Sequence, residues 1–121
     1  MANARHDLGL RAESAAASWL SSRGWHVLAR RWRSGHGELD LICVDPLGTL
    51  VGVEVKLRRT GRAGTGPEAI DRRRLARLRR SLAAYAAASP ASWPGLRIDL
   101  VSAMPVDELW RLERLAAIDE W

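Results

Sequence analysis

The stretch GELDLICVDPLGTLVGVEVKL, Gly37–Leu57, decides the reading of this chain. Its centre, Asp45-Pro46-Leu47-Gly48, has Asp, Pro and Gly where a type I turn prefers them. A left-handed glycine closing that turn predicts a three-residue hairpin loop with a bulge. Asp45 then faces Thr49, which brings Asp40 opposite Glu54 and Glu38 opposite Lys56. Side chains on a strand alternate with a period of two, so all four polar groups share one face. The other face is expected to hold Leu39, Leu41, Cys43, Val51, Val53, Val55 and Leu57. A register shifted by one residue would separate Asp40 from Glu54, so the inference rests on the turn. Cross-strand Glu–Lys pairs on a solvated face are the plain alternative.

Residues 4–22 carry Leu8, Ala12, Ala15, Ala16, Trp19 and Leu20 on one arc, which predicts an amphipathic helix stopped at Gly24. Strands are predicted over Trp25–Arg33, Glu38–Val44 and Thr49–Leu57. Arg59–Gly66 reads as a glycine-rich loop, and Pro67 as the first turn of a second helix reaching about Ala88. Pro90–Gly95 is a turn and Leu96–Ser102 a fourth strand. Residues 106–118 fit both a helix, through Leu109, Leu112, Leu115 and Ala116, and an edge strand, through Trp110, Leu112 and Arg114. The order α-β-β-β-α-β predicts a mixed sheet flanked by helices, an α/β domain spanning residues 1–121.

Two helical residues break their patterns. Glu13 falls between Leu20 and Ala17 instead of on the polar arc, and a carboxylate there is costly unless paired or bound to a metal. Arg74 falls between Ser81 and Tyr85, on the arc of Ile70, Leu78 and Leu82, where an arginine can also snorkel outward. Together they suggest one polar pocket over Asp40, Glu54 and Lys56. Paired hard oxygen ligands without a His or Cys cluster suit Mg²⁺ or Mn²⁺. Asp40 and Glu54 would hold one ion, with the Val55 carbonyl as a third ligand, and Lys56 would orient water or stabilise a charged phosphate.

The chain has 121 residues with 19 Lys+Arg against 14 Asp+Glu, a net charge of +5, and a pI near 10.9. That balance suits a polyanion, nucleic acid first, although it also serves simple solubility. Among these 19 basic residues Lys56 is the only lysine. Arg72, Arg73, Arg77, Arg79 and Arg80 wind round the second helix, preceded by Arg58, Arg59 and Arg62, and could contact backbone phosphates. Trp25 and Trp32 are read as core, His26 and His36 as incidental, and Cys43 as buried and inert. The single cysteine excludes an internal disulfide and a cysteine-based zinc site. No stretch is apolar for long enough to span a membrane, and Asp7 and Glu13 interrupt any export signal, so a cytoplasmic location is expected.

Gly37-Glu38-Leu39-Asp40-Leu41-Ile42, Val53-Glu54-Val55-Lys56 and Arg58-Arg59 resemble the YraN-like family of small bacterial proteins. The likeness extends to Glu13, Trp32-Arg33, residues 70–85 and Arg97-x-Asp99. It implies the restriction-endonuclease-like PD-(D/E)xK fold, related to Holliday junction resolvases. It would make Glu13, Asp40, Glu54 and Lys56 the catalytic set, with Glu13, Asp40 and Glu54 on the metal. Arg33 and Arg74 join the nucleic-acid contacts, Arg74 standing where the family usually has Lys. The expected activity is metal-dependent cleavage of DNA, branched or junction DNA included, and symmetric cutting makes a homodimer plausible. Two other classes stay open: a nucleic-acid-binding module without turnover, and a basic interaction domain.

Overall fold

The structure is a computed structural model that describes residues 4–59 and 71–120. In chain order the elements are α1 (Ala4–Ser22), β1 (His26–Ser34), β2 (Gly37–Val44), β3 (Leu50–Leu57), α2 (Arg72–Ala88), β4 (Leu96–Val106) and β5 (Leu109–Leu115), then a 3-10 turn over Ile118–Glu120. The five strands form one sheet in the order β1-β2-β3-β4-β5. All neighbours are antiparallel except β3 and β4, which run parallel with α2 as their crossover. This is the mixed α/β architecture that the element order predicts.

Local chemistry explains most boundaries. α1 ends where Trp25 N–H reaches the Leu20 carbonyl at 3.1 Å and Gly24 N–H reaches that of Ser21 at 3.2 Å. Gly24 makes this close by adopting φ +88°, a conformation costly for other residues. In the hairpin, Gly48 N–H bonds to the Asp45 carbonyl at 3.0 Å and Asp45 N–H to that of Thr49 at 3.0 Å. Asp45 Oδ1 also accepts from Leu47 and Thr49 N–H, both at 2.9 Å. The observed pairs run from Val44↔Leu50 to Leu41↔Val53, which is the predicted register.

Past Leu41 the ladder stops. Instead of a backbone pair at Asp40 and Glu54, Asp40 Oδ2 accepts the Val55 N–H at 2.8 Å. Glu38 does not pair with Lys56, because Arg33 Nε, at the neighbouring position on β1, holds its carboxylate at 2.8 Å.

Helices cover both faces of the sheet, which corrects the expectation of one apolar and one polar face. On one side α1 packs Ala16, Ala17 and Leu20, with Trp25, onto Leu41, Cys43, Val51, Val53 and Val101. On the other, Leu78 and Leu82 of α2 pack onto Ile42, Leu50, Ile98 and Leu100. Leu39 also joins this second cluster, the opposite of its predicted side. A parallel crossover buries both sides of the strands it joins, and the hairpin alone carries no sign of it. Trp32 packs edge-on against Tyr85 with ring centroids 5.4 Å apart, and Trp25 is 6 % exposed, so both tryptophans serve the core. Cys43 is fully buried, and burial pushes its thiol up to about 12.

Several boundaries differ from prediction, among them β4, which runs on to Val106 instead of ending at Ser102. α2 begins at Arg72, capped by Asp71, whose side chain accepts Arg74 N–H at 2.8 Å. Pro67 and Ile70 lie outside the described residues. The ambiguous 106–118 segment is mostly strand: β5 pairs with β4 from Leu100↔Leu115 to Val106↔Leu109, giving β4 a partner along its open edge. Asp107, at φ +55°, turns the chain between them.

A buried ion network locks these parts together. Asp99 is fully buried and accepts four bonds: Arg97 Nε at 2.8 Å, Arg97 Nη2 at 3.0 Å, Arg114 Nη1 at 2.9 Å and Ala117 N–H at 2.9 Å. Arg97 also reaches Asp45 Oδ2 at 3.0 Å, tying the hairpin turn to β4. The guanidinium of Arg114 lies 5.1 Å from the Trp25 ring centre, within cation–π range. Hydrogen bonding to Asp99 raises Arg97 further above its ordinary value.

Candidate active site

Four of the predicted residues meet around the C-terminal half of β3. Strand alternation turns Glu54 to the α2 side of the sheet, where its side chain is only 3 % exposed. Arg74, on the first turn of α2, lies over it, with Nε 2.9 Å from Oε2 and Nη2 on the same oxygen. The other oxygen, Oε1, is buried and has no hydrogen-bond partner. Asp40 stands beside Glu54 and is fixed by Val55 N–H. Glu13 of α1 approaches Asp40 from the other helix. The two pattern-breaking helical charges thus converge on one carboxylate pair.

The electrostatics follow from burial and crowding. Burial first, and the neighbouring Asp40 second, push Glu54 up to about 9, against the pull of Arg74. The ion-pair geometry alone suggests full ionisation, but a guanidinium whose side chain is 53 % exposed compensates a deeply buried carboxylate only in part. Burial and then Asp40 likewise raise Glu13 to about 7, with Arg31 opposing them. Arg31 itself holds φ +47°, an uncommon backbone conformation for a side-chain-bearing residue. It sits between the register pairs Arg30↔Leu41 and Trp32↔Leu39, alongside Asp40. Backbone strain of this kind collects at functional sites, and no local sequence signal marks it.

A cavity of about 390 Å³ opens beside Glu54, lined by Glu54, Val55, Lys56, Arg74, Arg59 and Arg5. Lys56 is exposed at its edge. A second cavity of about 240 Å³ lies on the other side of Arg74, bounded by His36, Glu38, Arg77 and Ser81. Of the expected phosphate contacts, Arg59 and Arg77 therefore flank the site. Arg73 is exposed on α2, and Arg33 is exposed but paired with Glu38. Arg58 is half-buried, its backbone N–H bonded to the Ala103 carbonyl at 2.8 Å. Arg62 lies outside the described residues.

The donor chemistry fits one hard divalent cation. Two carboxylates meet, Asp40 raises the proton affinity of buried Glu54, and a buried oxygen lacks any partner. Among the described residues no three acidic, imidazole or thiol groups converge tightly enough to hold an ion. Glu13 is thus an electrostatic neighbour of Asp40 in this arrangement.

A family model described as uncharacterised protein family UPF0102 matches residues 12–103, a span that includes Glu13, Asp40, Glu54, Lys56 and Arg74. The chain belongs to the UPF0102 family. It is similar to a UPF0102 protein of Syntrophomonas wolfei, 36% identical over 101 residues, covering 84% of this chain and 87% of the relative. It is also similar to UPF0102 proteins of Mycolicibacterium vanbaalenii, 39% identical over 98 residues (81% and 80% of the two chains), and of Beutenbergia cavernae, 42% identical over 101 residues (84% and 85%). The UPF0102 match agrees with the YraN-like resemblance of the GELDLI and VEVK segments. Among the described residues of this UPF0102 protein, no helix is long and apolar enough to cross a membrane.

Proposed function

We propose that this chain is a metal-dependent endonuclease with a restriction-endonuclease-like fold, one domain over residues 1–121, hydrolysing phosphodiester bonds in DNA, branched or junction DNA included. The observation that carries the reading is the Asp40–Glu54 pair, with its unpartnered buried oxygen, beside the chain's only lysine. Asp40 and Glu54 would hold Mg²⁺ or Mn²⁺, with Glu13 able to complete the set. The ion, when bound, supplies charge neutralisation at the phosphate and a more acidic water. Lys56, exposed at the cavity edge, orients the attacking water and offsets charge on the phosphate. Arg59, Arg73 and Arg77, with Arg33, Arg58 and Arg62, contact backbone phosphates without reading bases. Symmetric cutting of a junction would use two copies of the chain, acting in the cytoplasm.

One observation favours a second reading. Arg74 already supplies Glu54 with a positive partner, as suits a nucleic-acid-binding module that keeps the fold without turnover and acts with a partner protein. Titration of Mg²⁺, Mn²⁺ and Ca²⁺ against labelled four-way junction, flap, single-stranded and duplex DNA separates the two. Asp40→Asn, run in parallel, keeps an oxygen for Val55 N–H but loses the charge. Mg²⁺- or Mn²⁺-dependent products that vanish in the variant are expected. Salt-sensitive binding without products in any metal favours the module, and neither binding nor cleavage refutes both.

A further inference from the structure

Two buried carboxylates of this sheet meet arginines in contrasting ways. Asp99 and Arg97 engage as a fork on a fork: Nε on Oδ1 at 2.8 Å and Nη2 on Oδ2 at 3.0 Å. Arg114 and Ala117 add further bonds to the same carboxylate. The Arg97 side chain is 23 % exposed. That is the geometry of a permanent clamp. At Glu54 both guanidinium nitrogens crowd onto Oε2, leaving Oε1 buried without a partner, and the Arg74 side chain remains 53 % exposed.

Resting on the metal reading above, we infer that Arg74 is an exchangeable counter-ion. Its guanidinium holds Glu54 in the metal-free protein and moves to a backbone phosphate of bound nucleic acid when a divalent cation takes its place. Charge requires some such movement. With the ion bound and the proton of Glu54 displaced, Glu54 and Asp40 would carry two negative charges that one divalent cation neutralises, so a guanidinium left on the same oxygen would meet a like charge. Arg74 has somewhere to go, because it forms the wall between the two cavities. One is shared with Lys56 and Arg59, the other with His36 and Arg77. A phosphate in either cavity would accept the planar guanidinium through two oxygens. The backbone need not follow, since Arg74 N–H stays capped by Asp71 at 2.8 Å and only the long side chain swings. Metal and nucleic acid would consequently strengthen each other's binding.

Nitrogen-15 NMR of the full chain tests this without requiring cleavage. The Arg74 Nε–Hε signal is assigned by its loss in Arg74→Lys, and the Val55 amide, bonded to Asp40, reports ion binding independently. On addition of Mg²⁺ both signals should move along one saturation curve, Arg74 toward the position of a free arginine. A nuclease-resistant phosphorothioate duplex should then tighten Mg²⁺ binding roughly tenfold in the native chain and much less in Arg74→Met. A Val55 amide that responds while Arg74 stays fixed overturns the exchange and leaves the metal reading standing. If neither signal responds to Mg²⁺, with or without DNA, the metal reading falls and the exchange with it. Equal tightening by DNA in native chain and Arg74→Met overturns the phosphate half of the inference.

Discussion

Replacing Glu54 by Gln should make the protein more stable while removing one ligand of the proposed divalent ion. Glu54 is 3 % exposed, and burial followed by Asp40 pushes it up to about 9 from an ordinary 4.5. Because the folded value is the higher one, the stability it contributes is fully present below about pH 4.5 and is lost as pH rises toward 9. Across that window the unfolded chain releases a proton that the folded chain retains. Each pH unit costs the native state about 1.4 kcal/mol, so the loss by pH 7 reaches roughly 3 kcal/mol. Gln has the shape of the protonated acid and no proton to lose.

The expected gain is about 2 kcal/mol at pH 7, below the full loss because the Gln amide is a weaker hydrogen-bond donor to Asp40 than the protonated acid it replaces. In urea this is a midpoint higher by about 1 M, given a slope of roughly 2 kcal/mol per molar. The measurement is urea unfolding of both proteins in chelator from pH 4.5 to 9. The two should coincide at the acid end and diverge as pH rises. Mn²⁺ should then raise the midpoint of the native chain only. A Gln variant less stable than the native chain at pH 7, or a difference that does not change with pH, would refute the reasoning.

Asp99→Ala removes the acceptor of four bonds and leaves Arg97 and Arg114 facing a buried gap, so it should cost about 3–5 kcal/mol in urea unfolding. A loss under about 1 kcal/mol would mean that the network is incidental. Gly52→Ala would bring a Cβ to 3.0 Å from Ile98 Cδ1 and 3.1 Å from Leu39 Cδ2, both side chains fully buried or nearly so. It should lower stability by about 1 kcal/mol or more, and an unchanged thermal midpoint would show that the two side chains yield freely. Lys56→Arg keeps the charge at an exposed position but alters its shape and acidity, so folding should be unaffected while the proposed cleavage falls about a hundredfold. Near-normal turnover would show that positive charge alone suffices.

Legibility in the sequence followed the range of the interactions. Asp45-Pro46-Leu47-Gly48 is complete turn chemistry, so the register from Val44↔Leu50 to Leu41↔Val53 could be read without the rest of the fold. That register in turn brings Asp40 near Glu54. Leu39, by contrast, packs with Ile42 and Leu50 under α2, a helix that returns through a parallel crossover. Its side could not be read from the hairpin. The strand at Leu109–Leu115 depends on the open edge of β4, so its own periodicity left helix and strand equally open. Asp71 was a readable signal, a capping residue just before an arginine-rich helix, but Pro67 offered an earlier start. The sequence marked Arg74 as out of pattern, but its partner depends on how α2 lies across the sheet.

The contrast between Asp99 and Glu54 separates frame from site more sharply than motif or charge. Their positions follow one another along the parallel pair, Val53↔Asp99 and then Glu54↔Leu100, so alternation turns them to opposite faces. Both are buried acids in a chain of net charge +5 that has arginines to spare. If pairing served stability alone, Glu54 would be expected to gain the treatment given to Asp99: a forked guanidinium, a second arginine and a backbone donor. Instead it has one half-exposed arginine on one oxygen, nothing on the other, and a second carboxylate close enough to raise its proton affinity. A fold that satisfies one acid so fully has the means to satisfy its neighbour. Where local rules are broken without a compensating contact, the missing partner is expected to come from outside the chain. The chemistry left open here, two acids and one unpartnered oxygen, is what the proposed divalent cation would satisfy.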